Sequence, residues 1–133
     1  MKSYQIELPC FGESDGKLGT FEPASIPGFQ VNRIIYIFDV PAGESRANHA
    51  CMNASLVFIA IAGSVKLSVE IEGIAKEYNL QNKTMAVYAP PASWIKAYDF
   101  SSNAVLVGLS DKQYVDCRYI DDYNLYQEEI RKG

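Results

Sequence analysis

The clearest pattern in the chain is an alternation of apolar and polar residues over residues 65–72. Side chains of a β-strand point to opposite faces in turn, so this alternation predicts a strand with one buried and one wet face. Residues 56–62 are apolar at consecutive positions, which predicts a strand covered on both faces. Gly63-Ser64 lies between the two stretches and predicts a turn.

Further strand-like runs are separated by turn residues such as Asp15-Gly16 and Pro90-Pro91. This spacing is typical of a β-sandwich or barrel, which leaves few exposed sheet edges. The C-terminus differs, because Tyr123, Tyr126 and Ile130 recur with helical spacing after Asp121-Asp122 and predict a short capped helix. The remaining predicted strands are residues 30–40, 74–80, 84–88, 94–98 and 104–109.

Composition and charge narrow the classes of protein. The 133 residues are enough to bury a real core, and we predict one domain over residues 1–133. The net charge is −4 and the basic residues are scattered, so the clustered positive charge that nucleic-acid binding needs is missing. The N-terminus has no apolar signal core and no run is long enough to span a membrane. The three cysteines are an odd number and lack the spacing of a disulfide framework. Reduced thiols and a cytoplasmic location are therefore predicted.

Residues 46–51 read Arg-Ala-Asn-His-Ala-Cys and form the most informative motif. The motif resembles Arg-Gly-x-His-Ala-His of the dTDP-4-oxo-6-deoxyglucose 3,4-ketoisomerases, a cupin family that includes the WxcM-like proteins. Ala47 stands where that family has glycine. The similarity extends over residues 10 to 126, and supporting pieces are Asp15-Gly16-Lys17-Leu18, Gly63-Ser64, Tyr88, Trp94 and Tyr119-Ile120.

The resemblance implies an all-β cupin, or RmlC-like, jelly roll (a double-stranded β-helix) with a short C-terminal helix. It also implies a homodimer, often with exchanged N-terminal strands, and a reaction without metal or other cofactor. In that reaction a dTDP-linked 4-keto-6-deoxyhexose becomes its 3-keto isomer, a step in surface-polysaccharide biosynthesis.

The chain departs from the family pattern at four candidate site positions. Cys51 replaces the second motif histidine, and Ile35 replaces a second tyrosine before Tyr36. Leu56 stands in place of a glutamine on the next strand, and Ile95 in place of a histidine. These replacements remove polar groups that acid–base catalysis would use.

His49, the one histidine of the chain, is the candidate catalytic base. A 3,4-keto shift moves a proton from carbon 3 to carbon 4 through an enediol, and imidazole titrates in the right range for this. A second group must move a proton between the two oxygens, and Tyr36 or Cys51 is the candidate. Arg46 and Arg33 are candidate anchors for the substrate. Because Arg33 and Tyr36 lie three residues apart on one predicted strand, we expect them to point to opposite faces and not to line one pocket together.

Each candidate also has an ordinary structural interpretation. For Cys51 a small buried apolar side chain is favoured over a reactive thiol. Arg46 could pair with Glu44 or Asp39 instead of a ligand diphosphate. Trp94 is a candidate substrate-binding platform for the nucleotide base, although packing is the commoner role of tryptophan. His49 could be a structural imidazole near the start of a strand, and Tyr36 could belong to the core.

No metal site is predicted. A cupin metal centre normally needs two histidines, a glutamate and a further histidine, whereas His49 and Cys51 supply at most two ligands. Two functions stay open from the sequence. The first is a sugar-nucleotide 3,4-ketoisomerase whose chemistry is impaired or altered. The second is a non-catalytic protein of the same fold that binds a nucleotide sugar or pairs with an active paralogue.

Overall fold

A computed structural model describes residues 1–133 and consists mainly of β-strands. Two short 3₁₀ turns, Pro23–Ser25 and Tyr114–Asp116, and one helix, α1 (Tyr123–Lys132), complete it. The strands are β1 (Tyr4–Glu7), β2 (Cys10–Glu13), β3 (Gly16–Gly19), β4 (Arg33–Phe38), β5 (Arg46–Cys51), β6 (Leu56–Ala62), β7 (Val65–Ile71), β8 (Ile74–Leu80), β9 (Met85–Ala89), β10 (Trp94–Tyr98), β11 (Val105–Ser110) and β12 (Tyr119–Ile120).

The strands form two antiparallel five-stranded sheets and a separate hairpin. The first sheet has the order β1-β9-β6-β11-β4 and the second has the order β12-β5-β10-β7-β8. Neighbours in each sheet are mostly distant in sequence, so the chain passes repeatedly from one sheet to the other. The hairpin consists of β2 and β3. Strands β4 and β5 are edge or near-edge strands of different sheets, and together they border the opening described below.

The main core lies between the two sheets, and a smaller one covers the outside of the first. Leu56, Phe58 and Ala60 face the main core. Val57 and Ile59, the alternate residues of β6, belong to the smaller cluster. The prediction that this strand is buried on both faces is therefore confirmed for residues 56–60, whereas Ile61 near its end is exposed. On β7 the alternation of buried and less buried residues also matches the prediction.

The C-terminal helix forms as predicted and packs on the second sheet. The Asp122 carboxylate caps it by accepting hydrogen bonds from the backbone N–H groups of Asn124 and Leu125. Tyr126 is fully buried, and its hydroxyl donates to the carbonyl of Ala92 at 2.7 Å. The helix has 10 residues, and no helix of the protein is long and apolar enough to cross a membrane.

The ends of most predicted strands differ from the observed ends by no more than a residue or two. The motif strand β5 is not among the predicted strands, because its sequence has no apolar pattern. The first predicted strand is shorter than expected, since it begins at Arg33 rather than at residue 30. The turn at Gly63 is confirmed. Gly63 has φ of 63°, and a Cβ atom there would lie 2.2 Å from the Ser101 hydroxyl oxygen, so only glycine fits.

Candidate active site

The motif strand β5 carries a local distortion that sets the direction of its side chains. Ala47 and Asn48 have φ angles of 72° and 58°, in the left-handed region that residues with a Cβ rarely adopt. The register with β10 shifts at this point, so that Ile95 pairs with His49 and Lys96 with Ala47. An extra residue of this kind bends a strand and redirects the side chains that follow. His49 comes directly after the distortion and lines a cavity.

The cavity has a volume of about 380 Å³ and opens between the two sheets. Its lining combines a polar group of side chains with an apolar one. The polar side chains are Arg33, Ser45, Arg46, Asn48, His49 and Tyr119. Ile35, Ile37, Leu56 and Phe58 make up most of the apolar lining. Such a mixture of apolar walls and a few convergent polar groups is typical of small-molecule sites.

The imidazole of His49 lies at the centre of the polar group. Its Nδ1 atom is buried and has no hydrogen-bond partner. Burial lowers the pKa of His49 below its ordinary value of 6.5, and the charges of Arg33 and Arg46 act in the same direction. The backbone of His49 itself and the charge of Asp121 oppose this shift. His49 is consequently neutral near pH 7, the form that a general base requires.

Tyr119 contacts His49 from the neighbouring strand. Strand β12 pairs with β5, and Tyr119 lies opposite Cys51 in the register. The rings of His49 and Tyr119 meet edge to face, with centroids 4.9 Å apart. Nη1 of Arg33 donates a hydrogen bond of 2.6 Å to the Tyr119 hydroxyl. Three elements that are distant in sequence thus place an imidazole, a phenol and a guanidinium in one cavity.

Arg33 is held in position by a second aromatic ring. Its guanidinium carbon lies 5.0 Å from the centre of the Tyr114 ring, a cation–π contact. The Tyr114 and Tyr119 rings are themselves 5.6 Å apart. The guanidinium therefore has its position fixed by both tyrosines while it borders the cavity.

Arg46 also borders the cavity, and it makes no ion pair with Glu44 or Asp39. The three ion pairs of the protein involve other residues. Arg46, Glu44 and Asp39 line an adjoining groove of about 330 Å³, which shares Tyr36, Ile37, Ser45 and Arg46 with the cavity. The guanidinium of Arg46 is thus free to meet an anionic ligand that extends from the cavity into the groove.

Tyr36 and Cys51 are less suited to the reaction than the sequence suggested. Tyr36 borders the cavity, but its side chain is 65% exposed and stacks on Phe38 along the outer face of β4. Arg33 and Tyr36 do point to opposite faces, but both border the cavity, so the expectation that they cannot line one pocket is wrong. The Cys51 thiol is buried outside the cavity lining and donates to Oδ1 of Asn53 at 3.3 Å. Burial and the adjacent Cys117 thiol raise the pKa of Cys51 from 9.0 to about 11, so it stays protonated.

Trp94 lies on the far side of the second sheet and does not reach the cavity. Its neighbour Ile95 pairs with His49 and faces the core, so Trp94 faces outward. There its ring packs against Tyr123 and Tyr126 of α1, with centroids 5.1 Å and 5.2 Å away. Trp94 therefore has the packing role, the commoner of its two interpretations, and does not line this cavity as a substrate-binding platform, because the C-terminal helix already occupies its face.

Tyr119 and Asn48 are site residues that the motif analysis did not assign. Tyr119 lies 70 positions from His49, and although Tyr119-Ile120 belongs to the family resemblance, only the pairing of β12 with β5 brings the two side chains into contact. The four departures divide in two groups. Ile35 and Leu56 line the cavity, whereas Ile95 is 1% exposed in the core and Cys51 lies beside Cys117. No group of three or more His, Cys, Asp or Glu side chains has a metal-binding arrangement.

Comparison with known proteins assigns the chain to a family. Residues 1–131 match the WxcM-like, C-terminal (FdtA) family. The chain belongs to this family. A curated member, the TDP-4-oxo-6-deoxy-alpha-D-glucose-3,4-oxoisomerase of Aneurinibacillus thermoaerophilus, is 30% identical over 132 residues, which are 99% of this chain and 95% of the relative. The resemblance found in the motif at residues 46–51 is therefore confirmed.

Two solved structures of the family show the same fold. One is a mutant of the 3,4-ketoisomerase QdtA from Thermoanaerobacterium thermosaccharolyticum in complex with TDP-4-keto-6-deoxyglucose, with a TM-score of 0.90 and 27% identity, covering 98% of this chain and 94% of that one. The other is WlaRA, a TDP-fucose-3,4-ketoisomerase from Campylobacter jejuni, with a TM-score of 0.87 and 27% identity, covering 97% and 96%. The all-β, RmlC-like jelly roll with a short C-terminal helix is confirmed.

Proposed function

We propose that the protein is a 3,4-ketoisomerase of a TDP-linked 4-keto-6-deoxyhexose, with His49 as the base that moves the carbon-bound proton. The observation that carries the proposal is the His49 imidazole, neutral and partly buried, which lies in a cavity beside two guanidinium groups. The QdtA complex with TDP-4-keto-6-deoxyglucose supports this choice of substrate class. The reaction needs a single carbon base when the proton stays on one face of the sugar.

The two arginines fit different parts of such a substrate. Arg46 lies at the junction of the cavity and the adjoining groove, so it suits the diphosphate that links sugar and nucleoside. Arg33 is fixed deeper, between Tyr114 and Tyr119, so it suits the sugar oxygens. The apolar side chains Ile35 and Leu56 then border the sugar without offering it hydrogen bonds.

Deuterium exchange tests the proposal directly. The purified protein is incubated with TDP-4-keto-6-deoxyglucose in D₂O, and carbon-bound deuterium and the 3-keto product are followed by NMR. We expect both signals from the unsubstituted protein and a loss of about 10²-fold or more in His49→Asn. An absence of exchange above the no-protein background contradicts the activity. Exchange that persists in His49→Asn removes His49 from its role as the base.

A binding-only function is the second candidate, and the apolar cavity residues favour it. Ile35 and Leu56 line the cavity at positions where the family resemblance implies polar groups, and each loss of an acid–base or hydrogen-bonding group lowers the rate. Thermal unfolding with TDP and TDP-sugars distinguishes the two functions. Stabilisation by these ligands without deuterium exchange supports a protein that binds a nucleotide sugar or completes an active paralogue.

We also propose that the protein is a homodimer and that residues 1–133 form one domain. Ten of the twelve strands, from β1 to β12, interleave in the two five-stranded sheets, which supports the single domain. Ile34, Tyr36 and Phe38 on the outer face of the edge strand β4 are 54% to 65% exposed and form an apolar strip. A second copy of the chain is the occupant that we propose for this strip. A place in surface-polysaccharide biosynthesis and a cytoplasmic location stay predictions.

A further inference from the structure

The proposed keto shift needs two proton transfers, and His49 accounts for only one. His49 removes the proton from carbon 3 and returns it to carbon 4. The oxygen on carbon 4 must gain a proton, and the hydroxyl on carbon 3 must lose one. The two side chains that the sequence suggested for this transfer are poorly placed. Tyr36 borders the cavity only at its rim, where its ring is exposed and stacks on Phe38, and the Cys51 thiol bonds to Asn53 outside the cavity lining.

Tyr119 has the geometry that this second transfer requires. It lines the same cavity as His49, and the two rings are 4.9 Å apart. Its hydroxyl oxygen accepts the hydrogen bond of 2.6 Å from Arg33. A hydroxyl that accepts from an arginine does not use its own proton in that bond, so Tyr119 can donate its proton to a ligand oxygen in place of the neighbouring Cys117 sulfur. The same guanidinium can stabilise the tyrosinate that forms in between.

We propose that Tyr119 is a catalytic residue that moves the proton between the two sugar oxygens, with Arg33 as its positioning residue. This inference rests on the proposed ketoisomerase function. Under this assignment neither proton transfer depends on a histidine at position 51, where this chain has Cys51.

The two half-reactions balance in protons and electrons. In the first, His49 takes the proton from carbon 3, and that bonding pair forms the C3–C4 double bond. The carbonyl electrons move to the oxygen on carbon 4, which takes the proton of Tyr119. In the second, the tyrosinate takes the proton from the hydroxyl on carbon 3, and a carbonyl forms there. The electrons of the C3–C4 bond then take the proton from His49 at carbon 4. No oxidant, reductant or metal enters.

Replacing Tyr119 by phenylalanine separates the two transfers. His49 can still remove and return the carbon proton in Tyr119→Phe, whereas proton transfer between the oxygens loses its carrier. We expect formation of the 3-keto product to fall by about 10²- to 10⁴-fold. Deuterium exchange at carbon 3 falls less, so the ratio of exchange to product formation rises. A merely structural role would lower both signals in parallel.

Tyr123→Phe is the matched control, since it also removes a hydroxyl bonded to a charged side chain, Glu70, but on α1 and away from the cavity. It should leave both signals unchanged. Calorimetric titration with TDP shows whether Tyr119→Phe still binds the nucleotide. Fluorotyrosine at position 119 provides a second variant that keeps the ring and the Arg33 contact. It lowers the hydroxyl pKa and should shift the pH profile of product formation.

The outcomes are distinct. Product formation by Tyr119→Phe close to that of the unsubstituted protein overturns the assignment. A parallel loss of exchange and product with intact TDP binding overturns it as well, and so does an unshifted pH profile of the fluorotyrosine protein. If the unsubstituted protein gives neither exchange nor product, the proposed ketoisomerase function is wrong. The role of Tyr119, which depends on that function, is then wrong too. A selective loss of product formation, together with a shifted profile, supports it.

Discussion

His49 and Tyr119 meet edge to face, with ring centroids 4.9 Å apart, although 70 positions separate them in the chain. The contact exists because β12, a strand of two residues, pairs with the motif strand β5. Arg33 reaches the same place from the edge of the opposite sheet and donates to the Tyr119 hydroxyl. Together these contacts keep the imidazole in a partly buried, positively charged setting, and that setting determines its titration.

The pH dependence of activity should reflect the lowered pKa of His49. Burial, Arg33 and Arg46 disfavour the imidazolium, so the base form persists below the ordinary pKa of 6.5. We expect the acid limb of kcat/KM to have its midpoint below pH 6.5. Removing one positive charge in Arg46→Gln should move the midpoint upward. A midpoint at or above 6.5 in the unsubstituted protein would contradict the assignment of this titration to His49.

The same shift makes stability depend on pH with a definite sign. The unfolded chain binds a proton at His49 more readily than the folded protein, so the free energy of unfolding rises with pH through this range. The stabilisation from neutral His49 is present above the unfolded pKa of 6.5 and is lost as the pH falls towards the folded value. Chemical denaturation in a pH series checks this. His49→Asn should show a shallower slope there, because its side chain does not titrate.

Cys51 should be dispensable for the reaction. Its buried thiol has a pKa raised to about 11 and donates to Asn53, so it is neither a thiolate nor a part of the cavity lining. We expect Cys51→Ala to keep product formation within a few-fold and to lose about 1 kcal/mol of stability through the deleted sulfur. The NMR assay and thermal unfolding measure the two effects. A 100-fold loss of product formation with intact folding would restore the thiol to a catalytic role.

Ala47 stores backbone strain that glycine would relieve. Its φ of 72° lies in the left-handed region, where a Cβ costs about 1 kcal/mol or more. Ala47→Gly should raise the free energy of unfolding by about 1 kcal/mol and the Tm by a few degrees. Ala75→Gly is the matched control on the exposed strand β8, where the backbone is not left-handed, and it should lower stability. Equal effects of both substitutions would contradict the strain at Ala47.

The strands with a strong apolar pattern could be predicted from the sequence, and the site could be predicted only in part. The apolar pattern over residues 56–62 and 65–72 follows directly from which faces of each strand are buried. The local sequence is therefore enough to predict these two strands. The same reasoning does not predict strand β5, because its polar residues face a cavity and its backbone is distorted at Ala47 and Asn48. The orientation of Trp94 depends on a helix that begins 29 positions later at Tyr123, which no local pattern encodes.

The apolar strip on β4 gives a final prediction about assembly. Ile34, Tyr36 and Phe38 alternate along the edge of the first sheet and present three large apolar side chains to solvent. Burying such a side chain against a partner contributes about 1.5–3 kcal/mol. Ile34→Asp removes this contribution and places a charge in the contact. We therefore expect the dimer dissociation constant to rise by about 10- to 100-fold, measured by sedimentation equilibrium.

Ile74→Asp is the matched control for this experiment. Ile74 is 76% exposed on β8, the edge strand of the second sheet, and has the same side chain as Ile34 outside the strip. Dissociation by Ile34→Asp but not by Ile74→Asp locates the interface on β4. If both variants keep the dimer intact, the strip is not the contact between copies. If the unsubstituted protein is already monomeric at micromolar concentration, the proposed homodimer is wrong. The exposed side chain of Tyr36 would then have no partner surface in a second copy of the chain.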